Sequence, residues 1–196
     1  MITPSGSPTD RALAAKASAW VRRWSHLVAA QGRVLDLACG SGRHLAWFVQ
    51  QGHAVLGIDR DAAALAGIAL PADQCQTMLA DVEGASWPLS GQRFAGVVVT
   101  NYLWRALLPT VVESVAEGGA LIYETFAAGH ETIGRPSRPD FLLQAGELLR
   151  ACSALRVVAF EDGFEPATPD APARFVQRIA AVRETAGEAP ARHLLR

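Results

Sequence analysis

Val34-Leu35-Asp36-Leu37-Ala38-Cys39-Gly40-Ser41-Gly42-Arg43 is the stretch that decides the fold. A short, mostly apolar run of this kind belongs to a strand covered on both faces, because a solvated face would impose alternation with polar residues. The run delivers one carboxylate, Asp36, near its end. Gly40 and Gly42 then let the backbone turn tightly beneath a ligand at the start of a helix, an arrangement suited to a nucleoside-shaped molecule. A dinucleotide fingerprint G-x-G-x-x-G would need a third glycine where Leu45 stands, and Asp36 would then face a pyrophosphate of like charge. A ligand with a cationic head and no phosphate turns the same carboxylate into an attractive partner.

Upstream, residues 1 to 9 are rich in Pro, Ser, Gly and Thr and read as a loose lead-in, with Thr9 or Asp10 placed to cap a helix. Trp20, Val21, Trp24, Leu27 and Val28 recur at helical spacing, which predicts an amphipathic helix over 10–30 with buried tryptophans. Downstream, the chain alternates: helix to 51, strand 53–58, helix 61–69, strand 75–80, strand 94–100, helix 105–116 stopped at Gly118-Gly119, and strand 120–124. This βαβ repetition predicts a parallel sheet with right-handed crossovers, whose ligand crevice lies at the carboxyl ends of the strands.

The last third changes character. A polar stretch from Ala128 to Pro139 precedes Leu142, Leu143, Leu148 and Leu149, which suggest a helix. Strands 155–160 and 174–182 then flank a segment too rich in breakers to form an element, so they read as an antiparallel hairpin that finishes the sheet in reverse. The tail from about 185 reads as frayed, and no internal repeat or composition break divides the chain.

With 196 residues, 50% apolar and 19% charged, the composition is that of one globular domain with a sizeable core. Its formal net charge of −1 provides no global positive field for phosphate backbones or anionic lipid. Nucleic acid is therefore a disfavoured partner. Three cysteines, Cys39, Cys75 and Cys152, without C-x-x-C spacing argue against a disulfide framework or a zinc cluster and fit the cytoplasm. No H-x-x-x-H or carboxylate cluster suggests a metal. Neither a leader with basic and apolar regions nor a run of about 18 apolar residues is present, so secretion and membrane spanning are not indicated.

Asp36-x-Ala38-Cys39-Gly40-x-Gly42 resembles motif I of class I S-adenosylmethionine-dependent methyltransferases. Gly57-Ile58-Asp59 and Leu79-Ala80-Asp81-Val82 stand where that family closes its second and third strands, with an acidic side chain for the ribose hydroxyls and another for the adenine amine. The resemblance spans residues 33 to 125. Tyr123-Glu124-Thr125-Phe126 and Gly134-Arg-Pro-Ser-Arg-Pro-Asp-Phe-Leu-Leu also resemble a small bacterial subgroup related to tellurite-resistance-type methyltransferases.

The resemblance implies a Rossmann-like α/β fold: a seven-stranded, mostly parallel sheet with an antiparallel last strand and helices on both faces. It implies one methyltransferase domain over 1–196, with its core at 33–184. S-adenosylmethionine is the implied cofactor, S-adenosylhomocysteine the product. The implied cofactor residues are Asp36, Ala38, Cys39, Gly40, Gly42, Arg43, Asp59, Arg60, Asp81, Val82 and Thr100. Cys39 reads as small filler in the turn, the alternative being that its backbone lines the cofactor, and His44 either touches the cofactor or faces water.

The implied acceptor is a small molecule approaching over Thr100-Asn101-Tyr102-Leu103-Trp104. The prolines of the adenine amino-methyltransferase loop are missing there, which lowers the case for base methylation. Asn101, Tyr102, Trp104, His130 and Arg135 are the candidate acceptor residues: His130 as a proton acceptor, Arg135 as an anion ligand in a lid formed by the polar insertion. The rival readings are that Asn101 caps the next helix, that Tyr102 packs, and that the insertion is a solvated connection. At the level of function the alternatives are an NAD-binding oxidoreductase on the same fold and a non-catalytic cofactor-binding module.

Overall fold

The computed structural model describes residues 16–84, 86–169, 171–187 and 191–195. The expected lead-in at 1–9 and the first part of the expected N-terminal helix, to residue 15, lie outside them. Seven strands form one sheet: β1 (Val34–Leu37), β2 (Val55–Asp59), β3 (Cys75–Leu79), β4 (Phe94–Thr100), β5 (Val115–Phe126), β6 (Arg156–Glu165) and β7 (Arg174–Val182). Their order is β3-β2-β1-β4-β5-β7-β6. Strands β1 to β5 pair in parallel, and β7 runs antiparallel to both β5 and β6. The parallel sheet with a reversed last strand is therefore as the sequence implies. The order reverses at β1, between β2 and β4, which opens a crevice at the strands' carboxyl ends there.

Helices α1 (Ala19–Trp24), α2 (Arg43–Gln50) and α3 (Ala62–Ala66) cover one face, where Trp20, Trp24, Leu45, Phe48 and Leu65 pack on Val34, Val98 and Ile122. Helices α4 (Leu108–Glu113) and α5 (Glu147–Ala151) cover the other, with Val111, Val112 and Leu148 packed on Leu35, Val97 and Leu121. Each such fully buried side chain contributes about 1.5–3 kcal/mol of transfer free energy. Gly57 keeps α2 close to the sheet, because a Cβ there would lie 2.6 Å from Leu45 Cδ1 and 2.8 Å from Cys39 Sγ.

Several boundaries differ from expectation, each for a local reason. The N-terminal helix starts at Ala19 because Ser18 caps it, its side chain accepting from the backbone N–H groups of Trp20 and Val21. A 3-10 turn, Ser25–Leu27, ends it. The helix expected over 105–116 is a 3-10 turn, Arg105–Leu107, followed by α4, which stops before Val115 opens β5. Gly118-Gly119 does not stop a helix but lies inside β5, where a Cβ on Gly119 would meet the Phe94 carbonyl at 2.8 Å. Strand β6 runs on to Glu165 because Glu161 and Glu165 pair across the ladder with Arg178 and Arg174. Leu142 and Leu143 are buried but precede α5, and Leu143 bridges to Ala127. Among the described residues no helix is long and apolar enough to cross a membrane.

Candidate functional site

Asp36 points from β1 toward α2 and is 1% exposed, with Oδ2 at 3.7 Å from His44 Nδ1. Neither carboxylate oxygen has a hydrogen-bond partner among the described residues. A buried carboxylate left in this state carries a desolvation penalty that an incoming cationic donor would offset. His44 is buried too, and its Nε2 accepts from the Ser18 backbone N–H at 3.3 Å. In the neutral ring that contact leaves the proton on Nδ1, the nitrogen nearer Asp36.

The glycine turn follows. Gly40 (φ +53°) and Gly42 (φ +78°) are left-handed, and a Cβ on Gly40 would meet nothing within 4 Å, so the turn is open on that side. Asp59 at the end of β2 braces the turn. Its Oδ2 accepts from Gly40 N–H at 2.7 Å and its Oδ1 from Asp61 N–H at 2.9 Å. Each oxygen retains a lone pair for another donor. Asp81 Oδ1 accepts from Glu83 N–H at 2.9 Å and holds the turn after β3.

Between these elements lies a cavity of about 190 Å³, lined by Leu37, Ala38, Ile58, Asp59, Arg60, Ala80, Asp81, Val82, Glu83 and Tyr102. A larger hollow of about 540 Å³, lined by Glu117, Ser153 to Val157, Arg183 and Glu184, lies at the opposite edge of the sheet. Only the smaller one occupies the crevice at the carboxyl ends of the strands, where α/β sheets bind ligands.

Ala38, Asp59, Arg60, Asp81 and Val82 thus converge on one cavity, with Asp36 and Gly40 in the strand and turn that border it. Ala38 holds φ +55°, a conformation that strains any side chain. The Ala38→Gly variant should raise stability by about 1 kcal/mol, read as a melting shift of about 3 °C. Arg43 is half-buried at the start of α2 and outside the cavity lining. Thr100 ends β4, buried, as the ladder partner of Glu124. Cys39 turns its side chain into the core over Gly57, so the thiol does not face the cavity. Burial, then the charges of Asp36 and Asp59, pushes that thiol's pKa up.

The candidate acceptor residues are dispersed. Tyr102, expected at the acceptor, lines the same cavity as Asp59 and Asp81. Its hydroxyl has no hydrogen-bond partner among the described residues, and burial, then Glu83 and Asp81, pushes the phenol up. Asn101 caps no helix. It takes a left-handed conformation (φ +54°) and donates its N–H to the Glu124 carbonyl at 3.0 Å. Trp104 is exposed.

His130 does not serve as the expected proton acceptor. Its Nδ1 accepts from Phe175 N–H at 3.4 Å, its Nε2 contacts the Arg135 carbonyl at 3.1 Å, and its ring packs on Phe126. With both nitrogens engaged, the imidazole pins the insertion to the sheet. Arg135 is exposed, lines no part of the cavity and contributes its carbonyl to that strut.

Of three further contributors, Glu83 is legible in the sequence as a second carboxylate beside Asp81, whereas Arg105 and Glu124 take no role from the sequence alone. Glu83 lines the cavity opposite Arg60, with 3.6 Å between their charged atoms. Arg105 ties down the segment after the insertion by bonding Glu147 through two nitrogens, at 2.7 and 3.0 Å, and the carbonyls of Asp140 and Leu142. Glu124 is a buried carboxylate at the end of β5. An acidic residue on a face otherwise filled by Ala120 and Ile122 was the available signal for it.

Residues 34–119, from β1 into β5, match the family model of a methyltransferase domain. No curated protein matches the chain significantly. Among solved structures, TehB from Haemophilus influenzae superimposes with a TM-score of 0.64 at 19% identity, over 82% of this chain and 60% of that one. The chain shares this methyltransferase fold. A TehB-like S-adenosylmethionine-dependent methyltransferase from Corynebacterium glutamicum matches this methyltransferase fold at a TM-score of 0.60 and 17% identity, over 90% and 93% of the two chains. The glycopeptide N-methyltransferase MtfA, solved with S-adenosylhomocysteine, matches at 0.60 and 20%, over 87% and 91%.

Proposed function

We propose that this methyltransferase-fold chain uses S-adenosylmethionine and transfers its methyl group to a small-molecule acceptor by direct displacement. The observation that carries the reading is Asp36, buried with both oxygens unpartnered, in the strand that leads to a cavity flanked by Asp59 and Asp81. In this reading Asp36 receives the cofactor's ammonium group, Asp59 its ribose hydroxyls, and Asp81 with the Val82 amide its adenine, against which Tyr102 packs. Gly40 leaves the backbone bare toward the cofactor, and Gly42, where a Cβ would crowd Ile68, completes the turn.

When bound, the cofactor supplies an already activated methyl. The protein's task is then to hold the acceptor in line and exclude water, and positioning of this kind reaches effective molarities of about 10⁵ M or more. A dedicated acid–base pair is not required. The MtfA complexes support the choice of cofactor, and the net charge of −1 supports a small acceptor over nucleic acid. A single domain working in the cytoplasm completes the reading.

Calorimetry tests it against hydride chemistry on the same fold. S-adenosylhomocysteine should bind the wild-type protein and NADH should not. Binding of NADH alone would replace this reading with an oxidoreductase. Cofactor binding without a methylated product from any acceptor would favour a non-catalytic module.

A further inference from the structure

Glu124 stands on the same sheet face as Asp36, one register step beyond Val98 and beside Thr100. Strand spacing and rise put its Cα about 5 Å from that of Thr100 and about 12 Å from that of Asp36. It is 1% exposed. Its Oε2 lies 3.5 Å from both Arg174 and Arg178, while its Oε1 has no hydrogen-bond partner among the described residues. The two guanidiniums are already engaged, Arg174 with Glu165 at 2.6 Å and Arg178 with Glu161 at 2.7 Å and Glu165 at 3.2 Å. Trp20 covers Arg178 from above at 5.2 Å. Arg23 joins the cluster at 3.5 Å from Glu161, so three carboxylates meet three arginines, each already paired, and no positive charge is left over for an anion.

We propose that Glu124 Oε1 is the binding point for the acceptor, and that the acceptor is an amine rather than an oxyanion or carboxylate. The proposal rests on the methyltransferase reading above and names its substrate class. A neutral amine nitrogen uses its lone pair to form the new C–N bond as the C–S bond breaks, and the sulfur leaves as an uncharged thioether. Positive charge thereby appears on the nitrogen, whose surplus proton is then lost to water. A fixed carboxylate beside that nitrogen stabilises the charge where it develops, whereas it repels an anionic acceptor. Arg174 and Arg178 hold Glu124 in place, which leaves Oε1 the free oxygen.

Crystals of the protein with S-adenosylhomocysteine, soaked with benzylamine or with selenite, test the assignment. The amine nitrogen should lie about 3 Å from Glu124 Oε1, and selenite should be absent from the two arginines. Selenite on Arg174 and Arg178, or an Oε1 satisfied by protein or water with no amine in the soak, overturns the proposal. Crystals without the homocysteine would instead overturn the cofactor reading on which it rests.

In solution, Glu124→Gln should bind S-adenosylhomocysteine like the wild type but lose about 30-fold in benzylamine affinity for that complex. Equal amine affinity in the two proteins, or none in the wild type, contradicts the assignment. A purely structural Glu124 would lower the melting temperature of the variant without separating the two affinities.

Discussion

Asp36→Asn should weaken S-adenosylhomocysteine binding by about 100-fold and, in the same protein, raise the stability of the ligand-free form. The two effects share one cause. Both oxygens of Asp36 are buried without a hydrogen-bond partner among the described residues, and the nearest charged-capable group, His44 Nδ1, is 3.7 Å away. Removing the charge relieves a desolvation penalty in the ligand-free protein, a gain of about 1 kcal/mol or more. It also removes the charge-assisted bond to the ligand's ammonium, a loss of about 2–3 kcal/mol. Calorimetry and thermal melting read the two signs independently. A variant that loses stability while keeping its affinity would make Asp36 a structural residue.

Arg105→Gln should cost about 2 kcal/mol of folding stability, a figure that allows for the partial exposure of the guanidinium. Arg105 bonds Glu147 twice and also holds the carbonyls of Asp140 and Leu142, so it joins the start of the 3-10 turn after β4 to the start of α5. Lysine should restore little, since a point charge cannot reproduce the planar fork. Burial alone would raise the Glu147 pKa, but the hydrogen bonds from Arg105 outweigh it and the value is lowered from 4.5. A folded-state value below the unfolded one gives stabilisation that is complete above about pH 4.5 and lost as the pH falls through the folded value. Chemical denaturation of both proteins should therefore show a stability gap that is widest at neutral pH and narrows below about pH 4.5. A gap independent of pH would mean that Arg105 acts through the carbonyls alone.

The sheet and one end of its site were legible because both are written locally. The run from Val34 to Gly42 gives strand, carboxylate and turn within nine residues, and Asp59 and Asp81 follow at the ends of the next two strands. The acceptor side was not legible because its groups come from distant segments. Arg174 and Arg178 reach Glu124 only through the antiparallel ladder of β7 on β5.

His130 was misread for the same reason. A histidine in a polar loop looks available until the Phe175 amide, from β7, and the Arg135 carbonyl, five residues on in the same insertion, occupy its nitrogens. Tyr102 was assigned to the acceptor from its position after β4. The path of that loop instead carries its ring to the cavity shared by Asp59 and Asp81.

The most direct measurement is a crystal structure of the protein with S-adenosylhomocysteine. The expected result is one ligand whose amino group meets Asp36, whose ribose hydroxyls meet Asp59 and whose adenine fills the cavity beside Asp81, Val82 and Tyr102. Adenine bound elsewhere, or Asp36 left unpartnered beside a bound ligand, would contradict the assignment of this rim as the cofactor site.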